Sequence, residues 1–325
     1  MKAVVQERFG PPDVLQFVDT DEPTVGATDV LIQVRAASVN PYDWHMLRGD
    51  PYVARLMGGV GFTRPKQRVA GADAAGLVTA VGSDVEAVRP GDEVMGWFDG
   101  AFADFARTSA DRVVPVPAGL TFEEAAALPM AGETALRAIR DVGQVQAGER
   151  VLVNGAAGGV GSLAVQIATA IGAEVTGVCR SANVEFVRSL GAAYVVDYTR
   201  EDFTQRSGRY DVILDNVGSQ PLSRLRQALT PTGKLVANAG GSPGHLFGPI
   251  GSILRVAVVN GFVRQQLRPL PSTWTRQDLL DVTALVEAGQ LRPVVGRTFA
   301  LADAAAAIAH VEAGHARGKV VLSVA

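Results

Sequence analysis

Apolar and polar positions change rhythm twice along the chain. Up to Thr121 the apolar residues come in short runs cut by Gly and Pro, as in Val30–Arg35, Ala75–Val81, Glu93–Gly96 and Ala103–Arg107. Short runs with frequent turn residues predict short strands and a partly open barrel. Met1-Lys-Ala-Val-Val reads as the first of these strands. Thr121 followed by Glu123 and Glu124 predicts a helix start leading into Ala125–Leu128. Pro129 interrupts it, and a helix resumes over Gly132–Ile139.

From Val151 the rhythm alternates. Strands are expected at Val151–Val153, Glu174–Cys179, Tyr194–Asp197, Asp211–Leu214, Lys234–Asn238 and Arg255–Val259. Helices are expected at Ser162–Ile171, Asn183–Leu190 and Gln220–Leu229. Such alternation predicts a parallel sheet with helices on both faces. The tail reads as a helix (Thr275–Ala288), a strand (Val294–Phe299), a helix (Asp303–Ala313) and a strand (Lys319–Val324).

The junction of the first strand and helix of the alternating region carries the main chemical signal. Gly155, Gly158 and Gly161 fall at three-residue spacing in Asn154-Gly-Ala-Ala-Gly-Gly-Val-Gly161. The first allows a tight reversal, the second a close approach of backbone to a pyrophosphate, the third close helix–strand packing. Ala156, Gly159 and Val160 complete the turn, and the helix N-terminus offers N–H groups and a positive dipole end. The spacing departs from G-x-G-x-x-G at its first glycine, but the strand–turn–helix–strand context points to a dinucleotide and to redox chemistry.

The ribose end is set by the tip of the second strand, where an acid suits NAD and a cation NADP. Cys179-Arg180-Ser181 stands there, with no acid following it until Glu185. Arg180 offers a fork of donors and Ser181 another, so NADPH is the expected cofactor. By position, Asp215–Gly218, with Asn216 and Val217, is expected to approach the nicotinamide ribose, and Asn238–Gly241, with Ala239 and Gly240, ends the next strand with glycines that suit close backbone approach. Thr134 is expected near the nicotinamide, although a helical threonine bonded to its own turn explains it too.

Bulk properties narrow the class. With 325 residues two domains are expected, and 47% hydrophobic against 19% charged residues suits a well-buried enzyme. A net charge of −3 gives no electrostatic case for nucleic acid. The longest apolar stretch, Leu246–Val263, is interrupted by Pro249, Gly251 and Arg255, so no membrane span is expected. The first residues lack a signal-peptide core, and the single cysteine, Cys179, excludes an internal disulfide, so a cytoplasmic location is expected. Four histidines and one cysteine, with no Cys-x-x-Cys, exclude a four-thiolate zinc site; no metal is expected.

The segment Gly71-x-Asp73-x-x-Gly76-x-Val78-x-x-Val81-Gly82, running on to Gly91-Asp92-x-Val94, resembles a signature of the medium-chain dehydrogenase/reductase family. Leu128-Pro-x-Ala-Gly-x-Thr134-Ala, the Gly155–Gly161 turn and Gly318-Lys-Val-Val-Leu322 are similar to that family too. Within it the chain resembles the zinc-free quinone oxidoreductase (zeta-crystallin-like) branch. Ser38-Val-Asn40-Pro-Tyr-Asp43-Trp and Cys179–Gly191 are similar to its alkenal/quinone reductase-like members.

The resemblance implies an α/β fold: a GroES-like partly open β-barrel catalytic domain (1–122 and 266–325) around a doubly wound Rossmann NADP-binding domain (123–265). It places Asn40 and Ala72 where zinc-dependent relatives carry Cys and His ligands. It matches Tyr198 to a phosphate-pocket tyrosine, and Phe262 and Lys319 are counted among the cofactor contacts. It implies hydride transfer to a quinone or enone, in a homodimer. Asn40 is the candidate orienter and Tyr52 the candidate proton source. Asp43 reads as bonding the backbone or a neighbouring loop, and Trp44, Trp97, Phe98 and Phe262 are candidate cleft walls, which core packing explains equally well. An enoyl-thioester reductase and a non-catalytic NADPH-binding protein are the alternatives.

Overall fold

The structure is a computed structural model that describes residues 1–50, 60–205, 207–238, 256, 258–271 and 273–325. The chain divides into two compact units. One holds Met1–Ala131, Trp274–Glu287 and Pro293–Ala325; the other holds Gly132–Thr273 and Ala288–Arg292.

The first unit is built on antiparallel strands. Strands β1 (Lys2–Val5) and β2 (Gln16–Asp19) pair with each other. The main sheet contains β3 (Asp29–Val39), β4 (Asp73–Val81), β5 (Glu93–Trp97), β6 (Phe105–Ser109) and β7 (Val113–Pro115), plus two strands from the tail. These are β14 (Val295–Ala300) and β15 (Lys319–Ser323), and the order is β14-β15-β3-β4-β5-β7 with β6 on β3. The long β3 is the hub. Its alternate residues Val30, Ile32 and Val34 enter a core with Phe102, Val320, Leu322 and Leu301. Each such side chain, taken from water, contributes on the order of 2 kcal/mol. Because β15 pairs antiparallel with β3, Val320 opposite Val39, the tail completes the GroES-like sheet.

Helix α1 (Pro41–Arg48) follows β3 directly, and α2 (Phe122–Ala126) closes this part of the chain. Thr121 caps α2 as its sequence suggests: its hydroxyl accepts from Glu124 N, and the Glu124 carboxylate accepts from Thr121 N. Helix α3 (Pro129–Leu136) then starts on Pro129, which needs no donor there, and runs into a π-helical turn at Arg137–Val142.

The second unit is a six-stranded parallel sheet. It runs β8 (Arg150–Asn154), helix α4 (Gly159–Ile171), β9 (Glu174–Cys179), helix α5 (Val184–Ser189), β10 (Tyr194–Asp197) and β11 (Tyr210–Asp215). Helix α6 (Leu222–Ala228), β12 (Leu229–Ala237) and β13 (Gln266–Pro269) complete it. The spatial order is β10-β9-β8-β11-β12-β13, so the winding reverses between β8 and β11. Val151, Leu152 and Val153 are all fully buried, as expected of a strand covered on both faces. The remaining tail helices are α7 (Arg276–Glu287) and α8 (Ala304–Glu312).

One expected strand is not a strand. In the stretch 255–259, the described residues 256 and 258–260 are helical. Val256 is buried and Val259 packs on the same core, while Val258 is exposed, which is a helical and not an alternating pattern. A short run of β-branched residues does not distinguish the two by itself. The sixth strand is instead β13, whose single apolar residue and terminal Pro269 gave no strand signal. It forms a sheet edge, where proline is tolerated. No helix among the described residues is long and apolar enough to cross a membrane.

Candidate active site

In the parallel-sheet unit the chemistry gathers at the carboxyl ends of β8 and β11, where the strand order reverses and ligands of such sheets bind. Gly155 leaves β8 at φ +79°, a left-handed conformation that favours glycine, and a Cβ there would meet Val217 at 2.9 Å. Gly158 caps α4 in extended conformation, and Ser162 N closes the first turn on Gly158 O at 2.9 Å. The N–H groups of Gly159, Val160 and Gly161 lie in the first turn, where no helical partner is available. A Cβ on Gly161 would sit 2.1 Å from Gly155 O, so helix and turn approach too closely for any other residue. This cradle fits a pyrophosphate.

Three strand ends are tied together beside it. Asp215 Oδ1 accepts from Asn154 Nδ2 (2.8 Å), Val217 N (3.1 Å) and Gly218 N (3.0 Å). Asn216 Nδ2 donates to Asn154 O, and Asn238 Nδ2 donates to Asn216 Oδ1 at 2.9 Å. Sequence reasoning singled out Asn216 and Val217 but not Asn154, a buried amide at the end of an apolar run, whose polarity was the available signal.

At the other edge of the turn, Arg180 follows β9 directly, is exposed, and has no ion-pair partner among the described residues. Tyr198, half exposed, follows β10, and its N–H bonds Cys179 O. The Ser181 hydroxyl proton, expected to serve as a second phosphate donor, is directed instead at the Asp197 carboxylate, 2.5 Å away. Asp197 was not weighed in the sequence because it lies on β10 and not on β9. Thr134 is partly buried on α3, and Phe262 is highly exposed in a turn. Ala239, Gly240 and Tyr52 lie outside the described residues.

The antiparallel unit gathers a second cluster from distant parts of the chain. Asn40 follows β3 and caps α1, and its N–H donates to Asp43 Oδ2 at 2.7 Å, the backbone bond expected of Asp43. Asp73 begins β4, and its Oδ2 accepts from Asn40 Nδ2 (2.9 Å), Met130 N (3.2 Å) and Ser38 Oγ (3.3 Å). Lys319, at the start of β15, donates from Nζ to Asn40 Oδ1 and stands 4.0 Å from Asp73. Asn40, Asp43, Asp73 and Lys319 are all buried. An ammonium only donates, so it fixes which end of the Asn40 amide faces which neighbour. Asn40 is therefore held at both ends by protein groups, and Lys319 points into this interior.

Burial pushes the Asp43 carboxyl up to about 7 and raises Asp73 too, while burial lowers the Lys319 ammonium. Among the described residues no three His, Cys, Asp or Glu side chains form a metal-ligating group. An ammonium beside the asparagine is a poor neighbour for a divalent ion, so this donor set does not fit zinc.

Aromatic residues mark the same unit. Tyr42 meets Trp274 edge-on at 6.1 Å, and Trp97 meets Trp274 at 4.7 Å. The buried Trp97 Nε1 has no hydrogen-bond partner among the described residues. Trp44 stacks on His45, and Phe98 is buried in the core. Trp274 had no sequence signal because nothing along the chain places it beside Trp97.

The comparisons agree with this architecture. A family model described as an alcohol dehydrogenase GroES-like domain matches residues 26–118, and one described as a zinc-binding dehydrogenase matches residues 190–322. The chain is 34% identical to the mouse mitochondrial NAD(P)H oxidoreductase RTN4IP1, covering 100% of this chain and 89% of that protein. It is 32% identical to a chloroplastic NADPH-dependent alkenal/one oxidoreductase of Arabidopsis thaliana, covering 99% and 79%. Among solved structures it is similar to the quinone oxidoreductase from Coxiella burnetii, with TM-score 0.85, 33% identity and 100% and 99% coverage. The chain thus belongs to the medium-chain dehydrogenase/reductase family of oxidoreductases, in its quinone oxidoreductase branch.

Proposed function

We propose that this protein is an NADPH-dependent reductase of quinones or α,β-unsaturated carbonyls that works without a metal. The observation that carries the reading is the Gly155–Gly161 cradle at the reversal of strand order, with Arg180, unpaired among the described residues, at the end of the neighbouring strand. The names of the Arabidopsis and Coxiella relatives support it. Bound nicotinamide supplies the hydride. The protein supplies binding, orientation and a dry site.

The N–H groups of Gly159–Gly161 hold the pyrophosphate, and Arg180 faces the 2′-phosphate. Asp215, Asn154 and Asn216 fix the strand ends that meet the nicotinamide ribose. Hydride arriving on carbon leaves charge on the substrate oxygen, which hydrogen-bond donors must meet. Asn40, engaged at both ends, acts by positioning within its cluster. The Tyr42 hydroxyl and the unused Trp97 N–H are the donors proposed for that oxygen, and Tyr42, Trp97 and Trp274 offer flat surfaces to a conjugated substrate. We place the protein in the cytosol as a homodimer; fractionation and light scattering test these assignments.

The decisive experiment follows nicotinamide absorbance with NADPH and NADH in parallel against a quinone, an enone and a crotonyl thioester. Turnover of the quinone or the enone with NADPH, by protein free of zinc, is the expected result. Turnover confined to the thioester moves the assignment to an enoyl-thioester reductase. Tight NADPH binding with no turnover makes it a binding protein.

A further inference from the structure

The end of β9 holds a feature that the turn alone does not explain. Cys179, its last residue, lies opposite Asp197 in the parallel ladder with β10. In folds of this type the acid that reads a ribose sits at the tip of the second strand. Here an acid is present, displaced by one strand. Asp197 is 9% exposed and saturated with donors. Its Oδ2 accepts from Ser181 Oγ at 2.5 Å; its Oδ1 accepts from Thr199 N at 3.0 Å and Thr199 Oγ1 at 2.7 Å.

A carboxylate only accepts, and a hydroxyl has one proton. Both hydroxyl protons therefore point at Asp197, leaving lone pairs facing outward. The two hydroxyl oxygens are themselves 3.1 Å apart. The hydrogen bond from Ser181, ahead of those from Thr199, holds the Asp197 carboxyl below the usual carboxylate range, so it is ionised at neutral pH. Arg200 pairs with it at 3.5 Å, but that side chain is largely exposed and its charge is screened. Among the described residues, Arg180 is left without a carboxylate partner.

We propose that Asp197 is a specificity-determining residue for coenzyme choice. It withholds the Ser181 and Thr199 protons from a 2′-phosphate and sets a fixed negative charge near it, so NADH remains a competent donor. The inference rests on the coenzyme site proposed above. A phosphate gains from Arg180 and loses against Asp197. A free 2′-hydroxyl, itself a donor, can use the outward lone pairs of Ser181 and Thr199 as acceptors.

The test measures kcat and KM for NADPH and NADH in the unaltered protein and in the Asp197→Asn and Arg180→Ala variants. In the unaltered protein kcat/KM for NADPH exceeds that for NADH by less than about a hundredfold; a larger ratio overturns the proposal. Asp197→Asn lowers KM for NADPH by about tenfold and does not lower that for NADH. An unchanged ratio, or a shift toward NADH, overturns it. If that variant fails to fold, the ratio in the unaltered protein still decides. Arg180→Ala raises KM for NADPH roughly tenfold while sparing NADH. Should it change neither, the coenzyme site itself is misassigned, and the Asp197 inference falls with it.

Discussion

The two units handle polar groups in opposite ways. The parallel-sheet unit gathers its candidate ligand-binding groups at strand ends and a helix N-terminus. The cradle proposed for a pyrophosphate is made of backbone, with glycines whose absent side chains are the point. The antiparallel unit instead takes two carboxylates and an ammonium into its interior, on strands β4 and β15 and helix α1. Backbone N–H groups bind an anion with no buried charge to balance. A buried ionic cluster must balance itself, and its stability follows its protonation. The candidate site of the parallel-sheet unit depends on space, and the cluster of the antiparallel unit on charge.

The largest break in this comparison is Lys319→Met. It keeps the length of the side chain and removes the cation from Asp73 and Asp43. Stranding buried carboxylates costs about 3–5 kcal/mol. Protonation of the carboxylates relieves part of that cost, so the loss measured by calorimetry is greater at alkaline than at mildly acid pH. Adding Asp73→Asn should recover part of it. A variant as stable as the parent at every pH removes the charge-balance account.

Next comes Gly161→Ala. Its Cβ has no room, at 2.1 Å from Gly155 O, so the turn and α4 must separate. The pyrophosphate contact is lost and kcat/KM for NADPH falls by about a hundredfold, because misplacement by an ångström costs that much. Coenzyme affinity by calorimetric titration should fall in step. An unchanged affinity would show that the cradle is not where the coenzyme sits.

The same contrast explains what the sequence made legible. The cradle is local: strand, turn and helix lie within Val151–Ile171, and spacing alone announces them. The cluster around Asn40 joins residues far apart in the chain, and no periodicity links Asp73 to Lys319. The tail strand β15 was readable as a strand, while its bond to Asn40 was not. Asp197 escaped for a related reason. Reading one strand tip at a time misses an acid that reaches across from the neighbouring strand through Ser181. The helical residues 256 and 258–260 show the local limit, where a short apolar run fits either period, and the edge strand β13 has too few apolar residues to show one.

The effect confined to one pH window sharpens the charge account most. Asp43→Asn removes one buried carboxylate and keeps an oxygen to accept from Asn40 N–H. In the folded protein Asp43 holds its proton up to about pH 7, with burial as the leading cause. In the unfolded chain an aspartate releases it near pH 4, at about 3.9. Between those values the folded state binds a proton that the unfolded state does not, so stability falls as pH rises across the window. Above it the cost of the buried charge is fully present. Asparagine has no such slope. Melting the two proteins side by side from acid to mildly alkaline pH should therefore reveal a gap that opens in favour of Asp43→Asn as pH rises. Three pH units at about 1.4 kcal/mol each make the total gap at most about 4 kcal/mol. Parallel curves would mean that Asp43 titrates as it does in water, and that the interior of this unit has adapted to charge more fully than its packing suggests.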